Sequence, residues 1–228
     1  MTDNFGVSLV VPVYNSAEFL PATIASLATY LASEFKHYEL ILVDDGSIDE
    51  SLALMRAAAN ENNNIRLIIH ERNMGQQRSL ADGFLAARNA IVLSVDADLP
   101  CELTDLKKIA HIVYNGSELV FGRRVAQMRR AWWRTFGSVV ANWIFRLIYP
   151  FEIQDIGCGL LAMRPSLIEK LRNQNKSTGL IKLDLLLVAE SCVQMDISSR
   201  PAASSSYSFI KLLKLFWLML INRFRQWG

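Results

Sequence analysis

Four apolar runs dominate the first half of the chain, "GVSLVVPVYN", "YELILVDDGS", "IRLIIHE" and "AIVLSVDADL", each rich in Val, Ile and Leu. None alternates apolar with polar residues, the pattern of a strand buried on both faces rather than one with a wet side. Stretches with helical character lie between them, over 16–33, 50–60 and 76–88. Asn15 followed by Glu18 gives the first of these a start resembling a capping box. Strand–helix–strand repetition at this spacing predicts an α/β chain built on a parallel, doubly wound sheet.

In such sheets ligands bind beyond the carboxyl ends of the strands, at the topological switch point. Polar residues follow those ends here: Tyr14 and Asn15 after the first run, Asp44 and Asp45 after the second, Asp96 and Asp98 after the fourth. In an extended chain side chains alternate, so Asp96 and Asp98 would point the same way. A lone D-x-D is easily a solvated turn. Two aspartate pairs at one sheet edge crowd four carboxylates, which favours a cation or ligand between them. Neither G-x-G-x-x-G nor a Walker loop occurs, so dinucleotide and P-loop chemistry are not indicated.

The second half differs in character. Six arginines and no acid fall between Leu119 and Phe151, and five basic residues and no acid follow Ile197. Trp132, Phe136, Val140, Trp143 and Leu147 recur at helical spacing, as do Phe209, Leu212, Leu213, Phe216, Trp217, Leu220, Ile221 and Phe224. Ordinary sheet-covering helices would show the same periodicity. Tryptophan enrichment with purely basic polar residues instead favours helices lying in an anionic membrane interface, most clearly for the C-terminal one. No window holds the roughly 18 apolar residues that a membrane span needs. A net charge of +2 argues against a nucleic-acid partner.

Cys101, Cys158 and Cys192 are too widely spaced for a zinc site or a disulfide framework, which fits a reducing compartment. The start of the chain lacks the features of a signal peptide, so a cytoplasmic location is expected. His37, His70 and His111 show no ligand spacing, and Cys158 between Gly157 and Gly159 reads as packing.

Taken together, "VPVYN", "LVDDGSID", "RNMGQ", "VDADL", "FGRR", "QDIGCGLLAMR" and "RPAASSSYSFIKL" resemble the family 2 glycosyltransferases of GT-A fold. Within them the chain is similar to the polyprenyl-phosphate branch, which includes dolichol-phosphate mannose synthases and undecaprenyl-phosphate formamido-arabinose transferases. The resemblance implies a GT-A, Rossmann-like nucleotide-sugar-binding domain over 1–207, with an amphipathic helix at about 129–148, and a basic amphipathic helix over 208–228 on a membrane surface.

By the same resemblance Pro12, Tyr14, Asn15 and Asp44 hold the base and ribose, and Asp96 reaches the ribose. Asp98, helped by Asp96, holds a divalent ion, Mg²⁺ or Mn²⁺. Arg123 matches a phosphate-binding position, with Arg130 or Arg134 as a second contact, and Asp155 matches an acid that contacts the transferred sugar. Arg200, Ser205 and Tyr207 fall in a segment that closes over the diphosphate. The implied activity is inverting transfer from a nucleotide sugar, by its motifs a UDP-sugar, to a polyprenyl phosphate at the inner face of the plasma membrane. A homo-oligomer or a membrane partner subunit is left open.

Two positions depart from the family pattern. Pro100 stands where a glutamine can complete the metal shell, and Ser206 replaces a lysine expected to meet diphosphate, with Ala203 replacing a glycine beside it. Two alternatives therefore accompany the lipid-phosphate reading: a family 2 enzyme with a soluble or glycan acceptor, and a non-catalytic relative that binds a nucleotide sugar.

Overall fold

The computed structural model describes residues 2–124, 151, 153–174 and 179–198 of the chain. Both proposed membrane-surface helices, and with them Arg130, Arg134, Arg200, Ser205 and Tyr207, lie outside the described residues.

The chain runs β1 (Asp3–Val13), α1 (Leu20–Glu34), β2 (Phe35–Asp44), α2 (Ser51–Glu61), β3 (Ile65–Ile69), α3 (Gln76–Ala86), β4 (Ile91–Ser94) and α4 (Leu103–Tyr114). It continues through β5 (Leu119–Arg124), β6 (Leu161–Met163), α5 (Ser166–Gln174), α6 (Ile181–Val188) and β7 (Cys192–Ile197). The seven strands form one sheet in the order β3-β2-β1-β4-β6-β5-β7. From β1 the chain winds outward through β2 to β3, then returns to place β4 on the other side of β1. The switch point therefore falls between β1 and β4.

The expected parallel sheet holds for β1 to β4 and requires correction beyond them. β6 runs antiparallel to both β4 and β5, so the sheet is mixed. The first four strands carry the apolar code of two-sided burial, whereas "LAM" of β6 is too short to announce its direction. β3, at the edge, is only half-buried along most of its length.

Helices cover both faces. Leu9, Val11 and Val13 of β1 pack with Leu20, Leu27 and Leu31 of α1, Met55 of α2 and Leu106 and Ile109 of α4. Val10 packs on the opposite face with Leu80 and Phe84 of α3, Leu167 of α5 and Leu186 of α6. Burying each such Leu or Phe side chain contributes roughly 1.5–3 kcal/mol. A Cβ on Gly83 would run into the Val10 side chain, so this glycine is what lets α3 settle onto β1.

The capping-box expectation fails. α1 begins at Leu20 after Phe19, with no side-chain cap. Asn15 instead takes a left-handed φ of 48°. Its Oδ1 accepts the Ile48 N–H at 2.9 Å, and its own N–H donates to Ser47 Oγ at 3.1 Å. The side chain thus ties the turn after β1 to the turn after β2, a long-range bond that local spacing does not reveal.

At the opposite edge of the sheet, Glu39 is buried and accepts from Ser8 Oγ at 2.6 Å, Arg66 Nη1 at 2.6 Å and the Arg88 N–H at 2.7 Å. Burial opposes its charge, and these hydrogen bonds outweigh burial, holding the carboxyl below its usual range. A carboxyl depressed in the native state stabilises the fold fully above its unfolded pKa and loses that contribution as pH falls through the native value. Glu39→Gln is expected to cost about 1–3 kcal/mol at neutral pH. In denaturant titrations the gap from wild type should narrow as the pH drops below about 4.3. A gap independent of pH would show that the carboxylate charge contributes nothing.

Candidate active site

The carboxyl ends of β1 and β4 open into a cavity of about 840 Å³. This lies in the range of roughly 300–1,000 Å³ typical of small-molecule sites. Its walls include Pro12 near the end of β1 and Tyr14 just after it, Phe19 before α1, Gly75 and Gln76 at the start of α3, and Asp96, Asp98 and Pro100 after β4. The two aspartates of the D-x-D do share one site, though not through strand alternation. β4 ends at Ser94, and residues 96–99 form a tight turn closed by the Leu99 N–H on the Asp96 carbonyl at 3.0 Å. Leu99 takes a φ of 45° within it. Thr23 Oγ1 of α1 donates to the Ala97 carbonyl at 2.9 Å and anchors the turn from behind.

Asp96 and Asp98 live in different surroundings. Asp98 is exposed at the cavity wall, with its oxygens facing no protein donor among the described residues. Asp96 is recessed, and its Oδ1 accepts from Gln76 Nε2 at 2.7 Å. A Cβ on Gly159 would overlap the Asp96 carboxylate, so this glycine admits the backbone of 157–159 directly against the acid. Burial pushes the Asp96 carboxyl above its usual range. The Lys182 cation opposes that, the Asp98 charge adds to it, and Arg124 also opposes it.

These donors fit a hard divalent cation. Carboxylate oxygens are the ligands that Mg²⁺ and Mn²⁺ prefer, and Asp98 presents a free pair to the cavity. Four acids line the cavity among the described residues, Glu18, Asp45, Asp96 and Asp98, and with the D-x-D pair as the protein ligands most of the coordination sphere is left to water and to the anionic part of a ligand. No cluster of three or more His, Cys, Asp or Glu residues with metal-ligating geometry occurs among the described residues.

The second aspartate pair divides its roles. Asp44 is buried, and its carboxylate accepts the Ser47 N–H at 3.3 Å. Asp45, which lines the cavity, accepts the Met74 N–H at 2.8 Å and the Gly75 N–H at 2.9 Å, clamping the loop that leads into α3. His70 bridges Asp45 at 3.0 Å and Asp82 at 3.1 Å, so one histidine joins a strand-end acid, a contact that spacing along the chain does not show. Neither Asn15 nor Asp44 belongs to the cavity wall, whereas Pro12 and Tyr14 do.

The last two residues of β5 are arginines. Arg123 donates to Asp196 and, at 2.8 Å, to Gln154 Oε1. Its neighbour Arg124 turns inward. The Arg124 guanidinium holds Asp155 in a bidentate pair, Nε to Oδ2 and Nη2 to Oδ1, both at 2.9 Å, with its backbone N–H adding a third bond to Oδ2 at 3.2 Å. Sequence reading had singled out Arg123 of "FGRR" and passed over Arg124, since strand alternation alone does not say which of two adjacent arginines faces the site. Gly159 is expected from the sequence to permit a tight backbone, whereas Gln76 and Lys182 are given no role by it. The one available signal was a single lysine inside the apolar run "LIKLDLLLV", where a charge is seldom placed without a partner.

The cysteines behave as packing groups. Burial pushes the Cys158 thiol up to about 11 and the Cys101 thiol up to about 12, which leaves both protonated.

A mixed seven-stranded sheet with acids at the β1–β4 switch point and a D-x-D turn defines the GT-A class of glycosyltransferase folds. The family model described as "Glycosyl transferase family 2" matches residues 8–172, and the chain belongs to that family. It is 31% identical over 217 residues to the undecaprenyl-phosphate 4-deoxy-4-formamido-L-arabinose transferase of Proteus mirabilis, covering 94% of this chain and 66% of that protein. The same enzyme of Photorhabdus laumondii is 30% identical over the same length and coverage. The chain thus spans just under two thirds of the length of these relatives.

Among solved structures, a mannosyltransferase from Pyrobaculum calidifontis, in complex with GDP-Man and Mn²⁺, superposes with a TM-score of 0.68 at 16% identity, covering 98% of this chain and 65% of that one. Glucosyl-3-phosphoglycerate synthase from Mycobacterium tuberculosis gives 0.65 at 17% identity, covering 96% and 80%. At those identities the likeness concerns the fold.

Proposed function

We propose that this chain transfers a sugar, with inversion, from a UDP-sugar to a polyprenyl phosphate, undecaprenyl phosphate by its likeness to the arabinose transferases, at the inner face of the plasma membrane. The observation that carries this reading is the D-x-D turn at the switch-point cavity in a chain matched over 94% of its length by an undecaprenyl-phosphate sugar transferase.

In the proposed reaction the acceptor phosphate oxygen attacks the anomeric carbon from the face opposite the leaving group. The bond from that carbon to the diphosphate oxygen breaks, and its electron pair leaves with the UDP. The phosphate nucleophile is anionic at neutral pH, so no strong general base is required. Positioning and charge stabilisation dominate. Asp98, with Asp96 behind it, would hold the divalent ion, whose chemistry is to neutralise the charge that develops on the departing diphosphate. Pro12 and Tyr14 would flank the nucleoside, and Asp155, held square by Arg124, would face the sugar. The basic, aromatic helices would keep the site at the lipid headgroup level.

Calorimetric titration with UDP and then GDP, with and without Mn²⁺, tests the donor side without requiring the sugar to be known. UDP binding that depends on Mn²⁺ is expected, followed by lipid-linked product in a screen of UDP-sugars with undecaprenyl phosphate. Binding of UDP without turnover on any lipid phosphate would favour the non-catalytic reading. Binding of neither nucleotide would overturn the proposal.

A further inference from the structure

The stretch "ERNMG", residues 71–75, leads from the end of β3 to the start of α3 without regular secondary structure, and none of its side chains is buried. Asn73 and Gly75 nevertheless line the cavity, and Gln76, which follows them, holds Asp96. With no side chain buried, the stretch depends on hydrogen bonds and close backbone packing to keep one arrangement. Two neighbours after β2 supply these. A Cβ on Gly46 would run into the backbone of Arg72 and Asn73, so this glycine admits the stretch against the turn. Asp45 beside it accepts the Met74 N–H on Oδ1 and the Gly75 N–H on Oδ2.

One carboxylate meets two successive N–H groups only if its plane is correctly turned. The sheet fixes the main chain on either side. The Asp45 N–H donates to the Val13 carbonyl at 2.8 Å, and the His70 N–H donates to the Asp44 carbonyl at 2.9 Å. What stays adjustable is rotation of the Asp45 carboxylate about its own side-chain bonds. His70 Nδ1, 3.0 Å from Asp45 Oδ1, opposes that rotation. Nε2 of the same ring lies 3.1 Å from Asp82 Oδ2 of α3, an oxygen that also accepts from Arg78 Nε at 2.7 Å. Carboxylate oxygens only accept, so the ring donates to one or both of them according to the protons it carries. A line of hydrogen bonds thus runs from Arg78 through Asp82, His70 and Asp45 to the N–H groups of 74–75. Through it α3 braces the loop that leads into α3.

We infer that His70 is a positioning residue: backed by Asp82, it orients Asp45 so that the carboxylate holds 74–75 and, with them, the cavity wall from Asn73 to Gln76 in the arrangement that receives the nucleotide. The inference deepens the proposed glycosyltransferase reading and rests on it for the nucleotide as ligand. The clamp itself stands on contacts within the protein.

The test uses the full chain carrying His70→Ala, His70→Asn, Asp82→Ala, and Asp82→Ala combined with His70→Asn. An asparagine amide nitrogen falls near the place of the imidazole Nδ1, so it restores the bond to Asp45 but not the one to Asp82. The first readout is hydrogen exchange of the Met74 and Gly75 amides, followed by NMR without ligand. Exchange is expected to be about tenfold faster in His70→Ala and within about threefold of wild type in His70→Asn. Asp82→Ala should speed exchange by about threefold in the native background and leave it unchanged beside His70→Asn. Unchanged exchange in His70→Ala, no recovery with asparagine, or equal effects of Asp82→Ala in both backgrounds, nil included, would overturn the inference. If His70→Ala does not fold, the Asp82→Ala comparison decides by itself.

The second readout is calorimetry of UDP with Mn²⁺. His70→Ala is expected to bind about tenfold more weakly, and His70→Asn to return to within about threefold of wild type. Glu39→Gln serves as the comparison, since it weakens the fold at the opposite edge of the sheet. It should lower the melting temperature and leave both UDP affinity and the exchange of 74–75 unchanged. A histidine with a merely structural role would behave like Glu39→Gln. That result, or a change in exchange without a change in UDP affinity, would overturn the inference. If wild type binds no UDP, the glycosyltransferase reading fails while the exchange rates still decide whether His70 holds the loop.

Discussion

Asp98→Asn will abolish Mn²⁺-dependent binding of UDP while leaving the fold and any metal-free binding intact. Asp98 is exposed at the cavity wall, so its loss removes no buried partner and should scarcely move the melting temperature. What it removes is the carboxylate of the D-x-D that accepts from no protein donor among the described residues. Charge neutralisation by a bound ion is worth several kcal/mol, so UDP affinity in Mn²⁺ should fall by about 100-fold or more, and turnover with it. Calorimetry of UDP with Mn²⁺ measures the loss directly, and retention of wild-type affinity in the variant would remove Asp98 from the metal site. The Pro100 departure bears on the same experiment. Pro100 offers no side-chain oxygen to the cavity it lines, so water must complete the shell that a glutamine would otherwise join, as Mg²⁺ readily allows.

Gly159→Ala will impair the same site through sterics, and Gly157→Ala two residues away will not. The added Cβ at Gly159 has no room beside the Asp96 carboxyl, and both sides of the contact are held: Gly159 by Ser94, Asp96 by Gln76. Either the backbone retreats or the carboxylate leaves Gln76, and overpacking of this kind typically costs about 1–3 kcal/mol. Affinity for UDP with Mn²⁺ should drop by about 10- to 100-fold in step with that strain. A Cβ at Gly157 would meet Arg124 Nη2 at 3.5 Å and Asp155 Oδ1 at 3.6 Å, ordinary contact distances. That variant should bind within about twofold of wild type. Similar losses in both variants would point to general loop sensitivity rather than to the Asp96 contact.

Much of this site was legible as residue types. The polar residues after the first, second and fourth apolar runs had to fall at one edge of the sheet, because parallel strands joined by helices all end on the same side. Pro12, Tyr14, Asp96 and Asp98 do meet in one cavity for that reason. What the residue order could not convey was the division of labour among neighbours. Asp44 and Asp45 are adjacent acids, yet one binds its own turn and the other clamps the loop before α3. Arg123 and Arg124 are adjacent arginines on a strand, and alternation sends one to Asp196 and the other to Asp155. Each outcome depends on which face of a strand or turn the backbone presents, and a one-residue shift would exchange the roles.

The amino-acid sequence by itself determined the two-sided burial of β1, β2 and β4, the alternation with helices, the carboxyl-end location of the site and the family. Those features follow from local periodicity and from the rule that parallel strands need crossover helices. Only the tertiary structure decided that β6 enters antiparallel, that Asn15 braces two turns instead of capping a helix, and that buried Lys182 reaches the Cys158 carbonyl. Each of these depends on groups that are far apart along the chain and close in space. Their energies come from burial and long-range hydrogen bonds, terms that act only once the sheet has brought the distant segments together.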